Sequence, residues 1–426
     1  MSLSFDNNTN IGKTILGGGI IASNSFIFPS GAEPPVPVVS IKEVVSANYV
    51  TWVLKTDGTL YGCGKNDCGQ QGNGSTTDIT IFTQRLTDVK EIGKANNTTW
   101  IIKTNNTLYG CGDNQYGQQG SGDTTNVTEF TQRLTDVISV SYSDNTTWVL
   151  KSDNTLYGCG DNTYGQQGNG NTTNITTFTQ RLTDVKKVVA NNWTTWVLKT
   201  DGTLLGCGRN NYGQQGSGST TDITEFTQRL TDVEDISSSN STTWVLKTDG
   251  TLWGCGRNNL GQQGSGDTTD VTTFTQRLTD VQEVFATTGT TWAIKTDGTL
   301  WRCGSNTNGQ IGEAKETSRL TTFTEMQISG LKSFGCSSDT AWYIDDNNNL
   351  YGTGSSAHGQ QGSGDTNKVY GFTQRLTDVD KIMVSNYTTW ALKSDDTLYG
   401  CGDNVYGQQS SGNTENVFTF IERTIN

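Results

Sequence analysis

Tryptophan recurs at Trp52, Trp100, Trp148, Trp196, Trp244, Trp292, Trp342 and Trp390, spaced 48 residues apart except for 50 between Trp292 and Trp342. A cysteine follows each by eleven residues, at Cys63, Cys111, Cys159, Cys207, Cys255, Cys303 and Cys401, with Thr353 in the remaining copy. A phenylalanine marks a later point of each copy: Phe82, Phe130, Phe178, Phe226, Phe274, Phe323, Phe372 and Phe420. Eight copies thus fill the chain from about Ser40 to its end. A period of this size signals a solenoid, a propeller or an array. It overrides the two or three domains that 426 residues would otherwise suggest.

Each copy reads as β structure. In the second, Thr98–Lys103 and Thr107–Cys111 are short β-prone runs around an Asn-Asn turn that is Asp-Gly in four other copies. That pair predicts a type I′ hairpin, whose two central residues both need positive φ. A glycine-punctuated loop, GDNQYGQQGSGD, leads to a strand around Phe130–Leu134, and Val137–Tyr142 makes a further strand after a Thr-Asp turn. No window carries a helical period. Three or four strands per copy is the size of a propeller blade, and radial closure buries the sheet faces. The alternative is an open β-solenoid, although solenoid coils are typically shorter.

The unit N-T-T-W-V-L-K-T-D-G-T-L-Y-G-C-G-x-N-x-Y-G-Q-Q-G-x-G resembles the RCC1 repeat of the chromosome-condensation-regulator family. The resemblance spans residues from about 40 to 426, and its strongest part is the G-x-N-x-x-G-Q-x-G-x-G loop. It implies an all-β single propeller over 38–426. Its blade count is eight by simple counting, or seven, the family's usual number, with a displaced end copy. The expected closure pairs the first strand near Ile41–Val45 with the last near Phe418–Ile425. The chain departs from the family in having Asn97-Thr98 or equivalents where His-Thr is usual, and Cys-Gly in place of Trp-Gly.

Composition then excludes several chemistries. Acids outnumber bases 42 to 29, for a net charge of −13, whereas nucleic-acid binding requires a cationic excess that releases counterions. His358 is the only histidine, so any histidine-based triad or metal site would have to use it. The glycine loop Gly69–Gly74 lacks the following helix that a phosphate cradle needs. Cys63 and Cys68 do not have zinc spacing, and cysteines repeating once per blade read as buried free thiols. Asp345–Asn349 lacks the glycine and glutamate of a calcium loop. No cofactor, no metal and no catalytic residue is expected. The rings formed by Arg85, Arg133, Arg181, Arg229, Arg277, Arg375 and Arg423, and by Lys55 and its copies, read as a solvated rim with weak ion pairs. The alternative for both rings is capture of an anionic group.

All four prolines fall between Pro29 and Pro37, which sets residues 1–37 apart as an irregular arm. Ile20, Ile21, Phe26 and Phe28 are its candidate anchors onto a partner. The start has neither the basic nor the apolar region of a secretory signal, and Ile15–Phe28 is too interrupted to span a bilayer. The expectation is a soluble protein made in the cytosol.

Within the repeat, framework positions barely vary while two loop positions vary freely. Three residues before the tryptophan stand Tyr49, Asn97, Asn145, Trp193, Ser241, Gly289, Asp339 and Tyr387. Five after the cysteine position stand Cys68, Tyr116, Tyr164, Tyr212, Leu260, Asn308, His358 and Tyr406. Loops on a rigid scaffold commonly carry recognition, and Tyr and Trp supply contact area at low entropy cost. The candidate binding face is therefore Tyr49, Trp193, Tyr387, Tyr116, Tyr164, Tyr212, His358 and Tyr406. The sixth and seventh copies deviate most, with GEAKETSR (312–319) in place of the usual loop.

The function expected from these features is non-catalytic binding. A Thr-, Asn- and Gly-rich surface without an export signal suggests a virion component, a phage capsid or tail surface protein. Its partners would be virion subunits, a host surface receptor or a glycan. The family resemblance implies the alternatives: an intracellular scaffold, a guanine-nucleotide exchange factor for a small GTPase, or a protein-inhibitor propeller.

Overall fold

The structure is a computed structural model that describes residues 39–425 apart from 48, 95, 96, 144, 192, 240 and 316. Its first blade consists of β1 (Ile41–Ser46), β2 (Val50–Lys55), β3 (Leu60–Gly64) and β4 (Ile79–Leu86), paired antiparallel in that order. Seven more sheets repeat this meander, the last ending at Arg423. The first strands of neighbouring blades touch around the ring, so they line its axis and the fourth strands form its rim. No helix occurs among the described residues. The ring has eight blades.

Closure differs from the expectation. Each sheet is complete within one copy, and β1 pairs only with β2. Blade 8 meets blade 1 through side chains and loops, as every other pair of blades does. The tryptophan of each blade stacks edge-on or tilted against the phenylalanine of the next, as in Trp52–Phe130 at 6.2 Å and Trp148–Phe226 at 5.8 Å. Trp390–Phe82 at 5.9 Å closes the circle. Strand exchange is unnecessary because the first and last copies carry the same complementary faces.

The glycine loop supplies the polar half of each junction. Gly74 N–H donates to Thr128 O of the next blade at 2.9 Å, and Gly412 N–H does the same to Thr80 O across the closure. In seven of the eight loops a buried asparagine is the hub, and in blade 7 Ser356 takes its place, donating to Asp365 O at 3.0 Å. Asn66 Nδ2 donates to Asn73 Oδ1, Ser75 O and Thr77 O, while its Oδ1 accepts the Gln71 amide. The Gln118 carbonyl accepts both the Thr147 hydroxyl at 2.8 Å and the Cys159 thiol at 3.3 Å from the following blade. This explains the repeated cysteine: a small apolar group with one weak donor fits the junction. Where Thr353 replaces it, its hydroxyl takes over and donates to Gly309 O at 2.8 Å.

All nine cysteines are free, eight of them buried. Burial pushes each of those thiols far up, and Cys68 is raised to about 11 by burial and then by Asp67 and Asp113. Since the thiolate is the nucleophile, native protein treated with iodoacetamide at neutral pH should be alkylated slowly and at Cys68 alone, with all nine sites reacting in denaturant. Mass spectrometry reads this directly. Rapid labelling of any repeat cysteine would contradict the packing.

The hairpin turns correct another expectation. Positive φ occurs at Gly58 but not at Asp57, and Gly58 N–H donates to Lys55 O at 3.0 Å. This is a type I turn followed by a left-handed residue, the three-residue hairpin loop, not type I′. Asp57 decides the choice by accepting the Thr59 amide at 2.9 Å, a bond that holds its carboxyl below the usual range. Asp345–Asn349 is the same turn, with Asp345 Oδ1 accepting the Asn347 and Asn349 amides.

The two cation rings are not the ion-paired rim expected. The arginines are half-buried, and none makes a salt bridge to the turn aspartates among the described residues. Those aspartates sit at φ near 60° and accept the preceding threonine hydroxyl, as in Thr87 Oγ1 to Asp88. The lysines lie over aromatic rings of their own hairpins, Lys55 over Tyr61 at 4.8 Å and Lys295 over Trp301 at 4.7 Å. In the fourth copy Leu205 replaces the ring, and Lys199 approaches Asp184 at 3.8 Å instead.

Blade 6 breaks the framework in a coupled way. The glycine of the third strand becomes Arg302, and the second loop glutamine becomes Ile311. A Cβ at the equivalent Gly62 would lie 2.5 Å from the Gln71 amide oxygen and the Trp52 ring. Losing the glutamine makes room for a side chain. Arg302 is buried and pairs with Glu313 of the irregular loop. Removing one partner of a buried pair strands the other charge. Glu313→Ala should cost about 2 kcal/mol in chemical denaturation. The same change in the Arg302→Gly/Ile311→Gln background should cost less than about 0.5 kcal/mol.

Candidate interaction face

The antiparallel meander puts the first-to-second-strand loops and the third-to-fourth-strand loops at one end of the ring. Both variable loop positions therefore share a face. They also meet, though not within one copy: the loop residue of one blade faces the pre-tryptophan residue of the next. Tyr164 stacks against Trp193 at 6.3 Å, His358 against Tyr387 at 4.8 Å, and Tyr406 against Tyr49 at 5.2 Å. Elsewhere Asn308 Nδ2 donates to Asp339 Oδ1 at 2.9 Å. Leu260 faces Gly289, where an added Cβ would lie 3.2 Å from its Cδ1.

A third position joins each pair, two residues after the cysteine position: Lys65, Asp113, Asp161, Arg209, Arg257, Ser305, Ser355 and Asp403. Its amide donates to the carbonyl of the pre-tryptophan residue, as Arg209 N to Trp193 O at 2.8 Å and Asp403 N to Tyr387 O at 2.9 Å. The loop residue is pinned as firmly. Tyr116, Tyr164, Tyr212, Tyr406 and His358 each donate their amide to a glutamine Oε1 two residues on, at 2.8–2.9 Å. Backbone placement is thus constant around the ring, and only side chains change. The third position varies as freely as the other two, which is the signal by which the sequence could have revealed it.

Side chains at this third position divide by charge. The aspartates turn inward and are buried: Asp161 accepts Gln166 Nε2 and Thr163, and Asp403 accepts Gln408 Nε2 at 2.9 Å. His358 Nδ1 lies 3.8 Å from Asp403 Oδ1. The cations instead stack on rings. Arg209 lies over Tyr164 at 5.0 Å and Trp193 at 4.5 Å, and Arg257 lies over Tyr212 at 4.9 Å. Lys65 lies over Tyr49 and Tyr406 and pairs with Asp67 at 3.0 Å. Burial opposes its charge, yet Asp67 holds the ammonium above its ordinary range. Burial and the neighbouring Tyr387, Tyr406 and Asp403 push the Tyr49 phenol up.

Of the eight expected face residues, the structure joins Tyr49, Tyr387, Tyr406 and His358 into one cluster, since Tyr49 also approaches Tyr387 at 6.2 Å. Tyr164 and Trp193 join a second cluster with Arg209, on the opposite side of the ring. Tyr212 belongs to the adjacent junction, and Tyr116 stands exposed between the clusters. The candidate anchors Ile20, Ile21, Phe26 and Phe28, with the rest of the 1–37 arm, lie outside the described residues.

Three spans, residues 137–166, 185–214 and 233–262, match the family described as regulator of chromosome condensation (RCC1) repeat. Each runs from the first strand of a blade to the loop glutamine that pins the face. The chain is an RCC1-like repeat β-propeller. This RCC1-like propeller is similar to human WBSCR16, with TM-score 0.59 and 16% identity over 75% of this chain and 94% of that one. It is similar to yeast RCC1 (Prp20), solved bound to Kap60, with TM-score 0.59 and 13% identity over 74% and 83% of the two chains. Prp20p from Saccharomyces cerevisiae, studied also for its binding to Gsp1p and histones, gives TM-score 0.57 and 14% identity over 74% and 85%. At such identities the structural likeness concerns the fold. No curated protein sequence matches the chain. No described helix of this RCC1-like propeller is long and apolar enough to cross a membrane.

Proposed function

We propose that this chain is a non-catalytic binding propeller whose loop face takes a protein partner, in the manner of an RCC1-like scaffold. The carrying observation is the set of three-residue junctions. Their backbone is fixed by repeated hydrogen bonds, and their side chains differ at every blade and are rich in stacked Tyr, Trp, Arg and Lys. Rigid aromatic and arginine side chains on a preformed surface are what binding hot spots are made of. Yeast RCC1 was solved bound to Kap60 and studied for its binding to Gsp1p and histones, all of them proteins, which supports this reading. That likeness favours a scaffold or exchange-factor role over the virion-surface role, for which neither the face geometry nor the relatives give support; the same holds for a glycan ligand.

Trp193→Ala should weaken a specific partner by about 2 kcal/mol or more, roughly thirtyfold, in a calorimetric titration. The rim change Thr131→Ala should leave affinity within about twofold. Equal effects of the two changes would remove the loop face from consideration. The exchange-factor reading requires in addition that the protein accelerate nucleotide release from a small GTPase.

A further inference from the structure

Resting on the loop-face reading, we propose that the sector spanning blades 4 to 6 is a receptor for a carboxylate-rich segment of a protein partner. Its cations are Arg209, Arg257 and Arg319. Arg209 is held between Tyr164 and Trp193, and Arg257 over Tyr212. Arg319 opens the fourth strand of blade 6, directly after its irregular loop, and donates from Nη1 to Asn259 O of blade 5 at 3.1 Å. The irregular copy thereby extends the cationic sector instead of merely interrupting the repeat.

None of these three arginines has a carboxylate partner among the described residues. The contrast with Lys65 is local: two residues on it meets Asp67, whereas Arg209 and Arg257 have Asn211 and Asn259 at that position. At the same junction position the acids are buried and bonded to their own loops. A chain of net charge −13 thus displays, among its described residues, guanidinium groups without carboxylate partners over one sector of one face. A guanidinium positioned over aromatic rings retains N–H donors that the rings do not consume, and these suit bidentate carboxylate binding. The flanking rings give a peptide backbone and its side chains apolar contact.

A fluorescein-labelled decaglutamate peptide titrated into the full chain, followed by anisotropy at low salt, tests this. We expect saturable binding, weakened at least tenfold by Arg209→Gln/Arg257→Gln and changed less than about twofold by Lys65→Gln in the opposite sector. Thermal melting verifies that the variants are folded. Absence of saturable binding overturns the proposal, as does equal weakening by the two variants. Tighter binding of an oligothymidylate than of the peptide would assign the sector to nucleic acid and overturn it too. The underlying reading fails separately. A native partner retained by Arg209→Gln/Arg257→Gln but lost with Tyr49→Ala/Tyr387→Ala overturns the acidic-segment assignment alone, and one retained by both sets overturns the loop face itself.

Discussion

Trp148→Ala should lower stability by about 3–5 kcal/mol, read as a shift in the urea unfolding curve. Trp148 is fully buried and packs with Leu150 and Leu156 of its own blade against Val185, Ala190 and Val197 of the next. Its ring meets Phe226 edge-on, and its indole Nε1 donates to Thr195 Oγ1 at 3.1 Å. Truncation removes the transfer term and leaves a cavity between two rigid sheets that have no means of collapsing onto each other. It also strips the Phe226 ring of its aromatic partner. Trp193→Ala offers an internal comparison, because that ring is half-exposed on the face. It should cost under about 1 kcal/mol. Similar losses for both tryptophans would mean that the junctions do not carry the stability of the ring.

Gly117→Ala should be nearly as damaging, at about 2–5 kcal/mol, although it adds one methyl group. Two effects sum. At φ +80° an L-residue is strained by about 1–2 kcal/mol. The new Cβ would also lie 2.7 Å from Thr176 Cα in the next blade, a backbone atom that moves only if the blades part. Overpacking of this kind costs about 1–3 kcal/mol. Gly298→Ala separates the terms, since Gly298 has φ +82° with nothing within 4 Å of an added Cβ. It should show only the strain. Equal costs at the two glycines would refute the close approach of the loop to its neighbour.

Much of the architecture was legible because repetition amplifies weak local signals. The strands Thr98–Lys103 and Val137–Tyr142 lie where alternation and β-branched residues predict them. The fourth strand starts earlier than expected, at Val127 instead of Phe130, because Val127-Thr128-Glu129 is held by the preceding blade's loop as well as by its own sheet. Turn type is not legible in the Asp-Gly pair alone, because it depends on the bond from the Thr59 amide to Asp57. The face was half legible. Its two variable positions stand out in each copy, but Tyr164 and Trp193 belong to different copies. Their partnership emerges only when one column is shifted by a whole repeat against the other. The stacked cations were invisible for the same reason, since Arg209 looks like one more loop residue until its two rings are brought to it.

A sheet drawn wholly from one copy also bears on how such a chain changes over generations. Here unequal recombination between neighbouring copies would insert or excise an entire blade with its tryptophan, its phenylalanine and its glycine loop. Every new neighbour would present the surfaces the old one did. Such an event would alter the circumference of the ring, and with it the order of residues displayed on its face, while each junction kept its residues and changed only its angle.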